Sequence, residues 1–169
     1  HDLAQAYQAI DRLHGAGLIY DAHIMTGVAG KGRGMENAEA LAQFLNRTNP
    51  AHVVNFSMFL HKEVPLYQDI RQGTFVPADE LETIREEYHL IERIAPEKAG
   101  ANILYDGFHD FIHVRVRGHL PGDKEKMLAK LNGIIQEYEG KEPVYSFVQG
   151  ECPDLEYCDD GKAVWDMDR

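Results

Sequence analysis

The chain has 169 residues, 44% hydrophobic and 27% charged, ordinary values for a globular domain with room for a real core. Its 28 acidic residues against 17 Lys and Arg leave a net charge of −11, which argues against nucleic acid and anionic membrane surfaces, since both demand a basic face. No apolar run approaches the roughly 18 residues that span a bilayer, and the opening HDLAQAYQ is not a signal peptide, so a cytoplasmic location is expected.

In chain order, Leu3, Tyr7, Ile10 and Leu13 fall on one helical face, with Asp2 and Gln5 placed to form a capping box and Gly15 or Gly17 to stop the helix. Leu18 to Met25 reads as a strand. Asn37 to Asn46 reads as a second helix with Ala38, Leu41, Ala42 and Leu45 inward, broken by Pro50. His52 to Leu60, HVVNFSMFL, is nearly all apolar, as a strand covered on both faces would be. A third helix follows Pro77, with Leu81, Ile84, Tyr88, Ile91 and Ile94 as its stripe. Ala101 to Tyr105 and Phe111 to Val116 are short extended segments. Gly122 to Tyr138 is a last helix, capped by Asp123 and ended by Gly140.

Alternating strands and helices with short connections predict an α/β fold with a parallel sheet and covering helices, and two clear strands are too few for a complete barrel. Composition changes near Lys141. The expected organisation is therefore a body over 1–140 and an irregular acidic tail over 141–169, with weak strand character at Val144 to Val148.

Between the first strand and the second helix lies DAHIMTGVAGKGRGMEN, residues 21–37, with glycines at 27, 30, 32 and 34. Ligands collect at the carboxyl ends of strands in α/β proteins, and glycine lets a backbone bend sharply or approach a ligand closely. The spacing fits neither common phosphate motif. Met35 breaks G-x-G-x-x-G, and Gly32 stands where a P-loop needs Ser or Thr. Lys31 and Arg33 can meet a carboxylate or phosphate, while the plain alternative is a strand-to-helix connection.

Residues 23–76, with Gly27, Gly30 and Glu36 in the loop and helix start and Pro65, Leu66, Tyr67, Asp69 and Ile70 in a P-L-Y-x-D-I turn, resemble the second half of the radical S-adenosylmethionine (SAM) barrel, in its iron–sulfur oxidoreductase branch. RGHLPGDKEKMLAKL, residues 117–131, resembles the segment opening that family's last helix. The resemblance implies a partial TIM-like barrel. It also implies a parent enzyme that cleaves SAM reductively to abstract hydrogen from a substrate, with SAM and a [4Fe-4S] cluster as cofactors. The family's C-x3-C-x2-C cluster loop is absent. Cys152 and Cys158 have C-x5-C spacing, and three thiolates are the minimum for that site. The chain, which does not open on Met, is therefore read as a fragment of a longer enzyme, inactive by itself.

The resemblance also supplies the expected cofactor-side residues: Gly27 and Gly30 under the adenosyl group, Glu36 at the helix start, and Phe59 and Leu60 against adenine. Asn55 and Ser57 share one side of an apolar strand and need buried partners, which in the parent include ribose, the SAM carboxylate or the substrate.

Nine histidines form a rival signal. His109 and His113, with Asp106 and Asp110 nearby, suggest a metal-dependent hydrolase, although strand residues four apart lie roughly 13 Å from each other. His23 and Asp21 share a strand face directed into the barrel. Cys152 and Cys158 give half a zinc site, or two thiols, or a weak disulfide. A non-catalytic domain binding a nucleotide-like ligand through the glycine loop is the remaining alternative. A half-barrel has an open edge and bare strand faces, so self-association through that face is expected.

Overall fold

Residues 2–147 are described by the structure, a computed structural model, and Cys152 and Cys158 lie outside them. Helix α1 (Leu3–Gly15) opens on the capping box that its sequence predicts, Asp2 accepting from the Gln5 N–H at 2.8 Å and Gln5 accepting from the Asp2 N–H at 3.2 Å. It lies on α2 (Gly34–Thr48), where Tyr7 stacks on Phe44 at 5.4 Å and Arg47 covers the Tyr7 ring at 3.8 Å. Asn49, with φ of 45°, ends α2 before Pro50.

Strands β1 (Asp21–Thr26), β2 (His52–Ser57) and β3 (Ile103–His109) run parallel in that order, and β4 (Val114–Leu120) closes the sheet antiparallel to β3. The sheet is thus mixed and open, where the sequence predicts a parallel barrel segment. A turn explains the reversal. Asp110–Ile112 forms one 3₁₀ turn and His113 takes φ of 53°, so β3 and β4 meet as a hairpin; a parallel pair needs a crossover of a dozen or more residues. The P-L-Y-x-D-I segment is a helix, α3 (Pro65–Arg71), with Pro65 in its first turn. Helices α4 (Glu80–Arg93) and α5 (Lys124–Tyr138) complete the set. Asp123 stands at the start of α5, but its carboxylate accepts from the His119 N–H at 2.8 Å, outside the helix.

Helices α2, α4 and α5 form one layer on one face of the sheet. Their Ala42, Leu45, Ile84, Ile91 and Leu131 meet Ala22, Val53, Tyr105 and Val116 from alternate strand positions in a single apolar core. Residues 144–147 also contact the rest of the described chain. The Leu60 N–H donates to the Ser146 carbonyl at 2.6 Å and the Glu80 N–H to the Val144 carbonyl at 2.8 Å. Tyr145 and Phe147 pack with Leu60 and Ile70 in a second small cluster at the carboxyl end of the sheet. Among the described residues no helix is long and apolar enough to cross a membrane.

Candidate functional site

Positions seven apart fall on the same side of a helix after two turns. On α4 that places Glu80 and Glu87 in line, with Glu86 beside them, and all three are buried. They sit over the carboxyl half of β2 and β3, whose period of two aims Asn55, Ser57, Tyr105 and His109 up at the helix.

The groups bond to one another, with Asn55 Oδ1 left buried and without a partner. His109 is 0% exposed and lies between two carboxylates, Nδ1 at 3.2 Å from Glu80 and Nε2 at 3.0 Å from Glu87. Glu87 also accepts from Asn55 Nδ2 at 3.0 Å and from the Tyr105 hydroxyl at 2.9 Å. Glu80 accepts from Ser57 at 3.2 Å and, in a short contact, from Ser146 of the 144–147 segment. Glu86 accepts from the Gly27 N–H at 3.0 Å and from Asn37 at 2.5 Å.

Charge follows from this packing. Burial works to lower the His109 pKa, but the Glu87 charge and the hydrogen bonds to Glu80 and Glu87 outweigh it and lift the pKa to about 10. Burial pushes Glu87 up, and the His109 charge with the hydrogen bonds from His109, Asn55 and Tyr105 brings it below its ordinary value. Glu86 goes the other way. Its burial exceeds the opposing help from Asn37, the Gly27 N–H and His109, so its pKa is raised. Tyr105 is driven well above its ordinary value by burial and by the neighbouring Glu87 charge. The His109 imidazolium and the Glu87 carboxylate therefore coexist at neutral pH with every contact internal. This network binds α4, β2, β3 and the 144–147 segment together, and it leaves neither nitrogen of His109 for a substrate or an ion.

Gly27 and Gly34 of the first loop lie against α4, and Gly30 lies against the 75–76 segment. A Cβ on Gly27 would come within 2.9 Å of Thr83, one on Gly34 within 2.8 Å of the Glu86 carboxylate, and one on Gly30 within 2.8 Å of the Val76 carbonyl. On β3, a Cβ at Gly107 would collide with the Glu87 carboxylate. At Gly34 and Gly107 bare backbone makes room for glutamates of α4.

The opposite face of the sheet carries no helix among the described residues. Register aligns three rows across it: Asp21, His52, Leu104 and His119; His23, Val54, Asp106 and Arg117; Met25, Phe56, Phe108 and Arg115. Phe56 and Phe108 stack at 5.6 Å, and Arg115 covers Phe108 at 4.7 Å. Arg115 also donates twice to Asp106, at 2.8 and 2.7 Å, and these bonds hold the Asp106 pKa below its ordinary value. Met25, Val54, Phe56, Leu104 and Phe108 are partly exposed and belong to neither apolar cluster.

The residues singled out from the sequence divide between these regions. Asn55 and Ser57 lie on the helix side with Glu87 and Glu80 as partners, Gly27 and Gly30 are buried in the loop packing, and Leu60 belongs to the second cluster. Phe59 is 53% exposed, and Glu36 is an exposed side chain paired with Arg33 at 2.8 Å. Asp21 and His23 do share a face, the uncovered one. His109 and His113 are not brought together, because His109 points under α4 while His113 is exposed in the hairpin turn. Among the described residues no group of three His, Cys, Asp or Glu side chains is arranged to hold a metal ion.

Sequence reasoning missed the three glutamates. The usable signal was Glu80 and Glu87 at positions in step with Ile84 and Ile91, set against two polar residues in an apolar strand. It also missed Phe56, Phe108 and Arg115, whose exposure depends on which strand face the helices choose. A cleft of about 390 Å³, lined by His14, Ile19, Asn49 and Lys98, lies at the amino ends of the strands, away from both regions. No protein-family model, curated protein or solved structure matches this chain.

Proposed function

We propose that this chain is part of a longer βα barrel enzyme of the radical SAM type, cytoplasmic in location, and that its uncovered sheet face belongs to the barrel interior. One observation carries the reading. The three parallel strands follow chain order, and among the described residues every helix packed on the sheet lies on the same face. A doubly wound sheet takes helices on both faces, whereas a barrel wall takes them on the outside only and fills the inside with strand side chains. The ordered motifs at 27–36, 65–70 and 117–131 support the same reading.

The parent enzyme would cleave SAM reductively and abstract hydrogen from its substrate. The cluster does not fit this chain, which has two cysteines where the site needs three thiolates. The fit to SAM is partial. Gly27, Gly30, Asn55, Ser57 and Leu60 are committed to internal contacts, so Phe59 is the expected adenine-side residue that stands open at the carboxyl end of a strand. The contribution assigned to this chain is a wall, with the chemistry supplied from elsewhere in the parent.

The native reading frame upstream of residue 1 tests the reading. The expected result is a C-x3-C-x2-C loop encoded about a hundred residues earlier, and a longer product that forms 5′-deoxyadenosine when reconstituted with iron and sulfide and given SAM and dithionite. A native start at residue 1 would overturn it.

A further inference from the structure

We propose that two copies of this chain pair through the uncovered sheet face, about a two-fold axis parallel to the strands. The argument rests on how register distributes charge. Strand order puts β1 and β4 at opposite edges, and the row that begins at Asp21 on β1 ends at His119 on β4. Rotation about an axis between β2 and β3 reverses each row onto itself. Asp21 of one copy then meets His119 of the second, and Phe56 meets Phe108 at the centre.

The face is prepared for such contact. Its central rings are already stacked, and Arg115 has its guanidinium paired with Asp106; Arg117, 3.7 Å from the same carboxylate and at the β4 edge, falls opposite His23 of the second copy, where its half-exposed side chain keeps contact with water. Four strands at about 4.8 Å spacing and five residues at about 3.3 Å rise give a flat area of roughly 320 Å² per copy. A pair then buries on the order of 650 Å², at the small end of weak, reversible contacts. A concentration-dependent dimer follows, held by aromatic contact and oriented by the two edge pairs. The pairing is stated of the present chain by itself; inside a longer barrel the same face would be covered by that barrel's own strands, so the upstream frame decides the barrel reading and sedimentation decides the pairing.

Sedimentation velocity from about 1 µM to about 1 mM brackets the range in which contacts of this size dissociate. The expected result is a monomer–dimer equilibrium that Phe108→Asp weakens at least tenfold. His119→Asp, at an exposed edge position where folding is safe, should also weaken it by setting two carboxylates against each other. Mixing that variant with Asp21→Lys should restore pairing as a heterodimer, since the introduced carboxylate then faces the introduced lysine while the other edge keeps Asp21 against His119. This arm decides the matter should Phe108→Asp unfold. A monomer across the whole range overturns the proposal. So does a dimer indifferent to these changes, which would place the interface elsewhere, for instance at the exposed Leu18 and Ile19.

Discussion

The two faces of this sheet are built from alternate residues of the same strands, yet they differ in how their polar groups are satisfied. On the helix side Asn55, Ser57, Tyr105 and His109 all bond to glutamates of α4. On the other side, Asp106 pairs laterally within the sheet beneath Arg115 and Arg117, whose side chains are half exposed. Groups in the first set cannot lose a partner without stranding a buried charge, whereas in the second each arginine reaches water and Asp106 has two of them. The contrast separates cohesion from contact. The closed side holds the fold, and the open side carries no helix among the described residues.

The largest break in that contrast should come from His109→Leu. It leaves Glu80 and Glu87 facing each other in the interior, and loss of one partner of a buried ion pair costs about 3–5 kcal/mol. The urea midpoint reads it. pH separates charge from packing. The folded His109 pKa of about 10 exceeds the ordinary value of 6.5, so its stabilisation is fully present below about pH 6.5 and is lost as pH rises through 10. Glu87, lowered in the folded state, contributes above its ordinary pKa and loses that contribution only in acid. Raised Glu86 adds a cost that grows as pH passes through its ordinary value toward its folded one. Stability should therefore fall between pH 6.5 and 10 in the parent chain and stay nearly flat there in His109→Gln. A parallel decline in both would remove His109 from the account.

Much of this was legible in the sequence because periodicity is local. The order of α1, β1, α2, β2, α4 and α5 follows from apolar spacing and caps, and the pair Asn55 and Ser57 announced buried polar groups in need of partners. Their partners were not legible. A stripe drawn through Leu81, Ile84, Tyr88, Ile91 and Ile94 reads the acids as solvent-facing, yet Glu80, Glu86 and Glu87 are buried and Leu81 and Tyr88 are only half-buried. A helix with carboxylates in its buried stripe can be oriented only by what it lies against. HVVNFS likewise has apolar residues on both sides, so the strand alone cannot say which side the helices cover. The hairpin between β3 and β4 depends on a left-handed His113, a conformation no apolar pattern predicts.

A middle-sized effect comes from two glycines that differ in what surrounds them. Gly107→Ala drives a methyl group into the Glu87 carboxylate, and overpacking of this kind costs about 1–3 kcal/mol. Gly32, at φ of 74°, has open space around its Cβ position, so Gly32→Ala carries only the backbone penalty of about 1 kcal/mol. Thermal unfolding of the pair should rank Gly107→Ala as the more damaging. The reverse order would mean that α4 can back away from β3, and the closed side would be softer than its contacts imply.

The smallest effect belongs to the open face. Arg115→Ala removes two short hydrogen bonds to Asp106 and the cover over Phe108, which on a buried pair would be severe. Here the Arg115 side chain is 51% exposed, Arg117 remains at 3.7 Å from the same carboxylate, and water can reach the vacated space. The expected loss is a urea-midpoint shift smaller than that of Gly32→Ala, measured at low protein concentration so that pairing does not contribute. Asp106 should keep a depressed pKa, only less so, because Arg117 still faces it. A loss as large as that of His109→Leu would show that the uncovered face is structural in its own right, and the division between a face that coheres and a face that meets partners would fail.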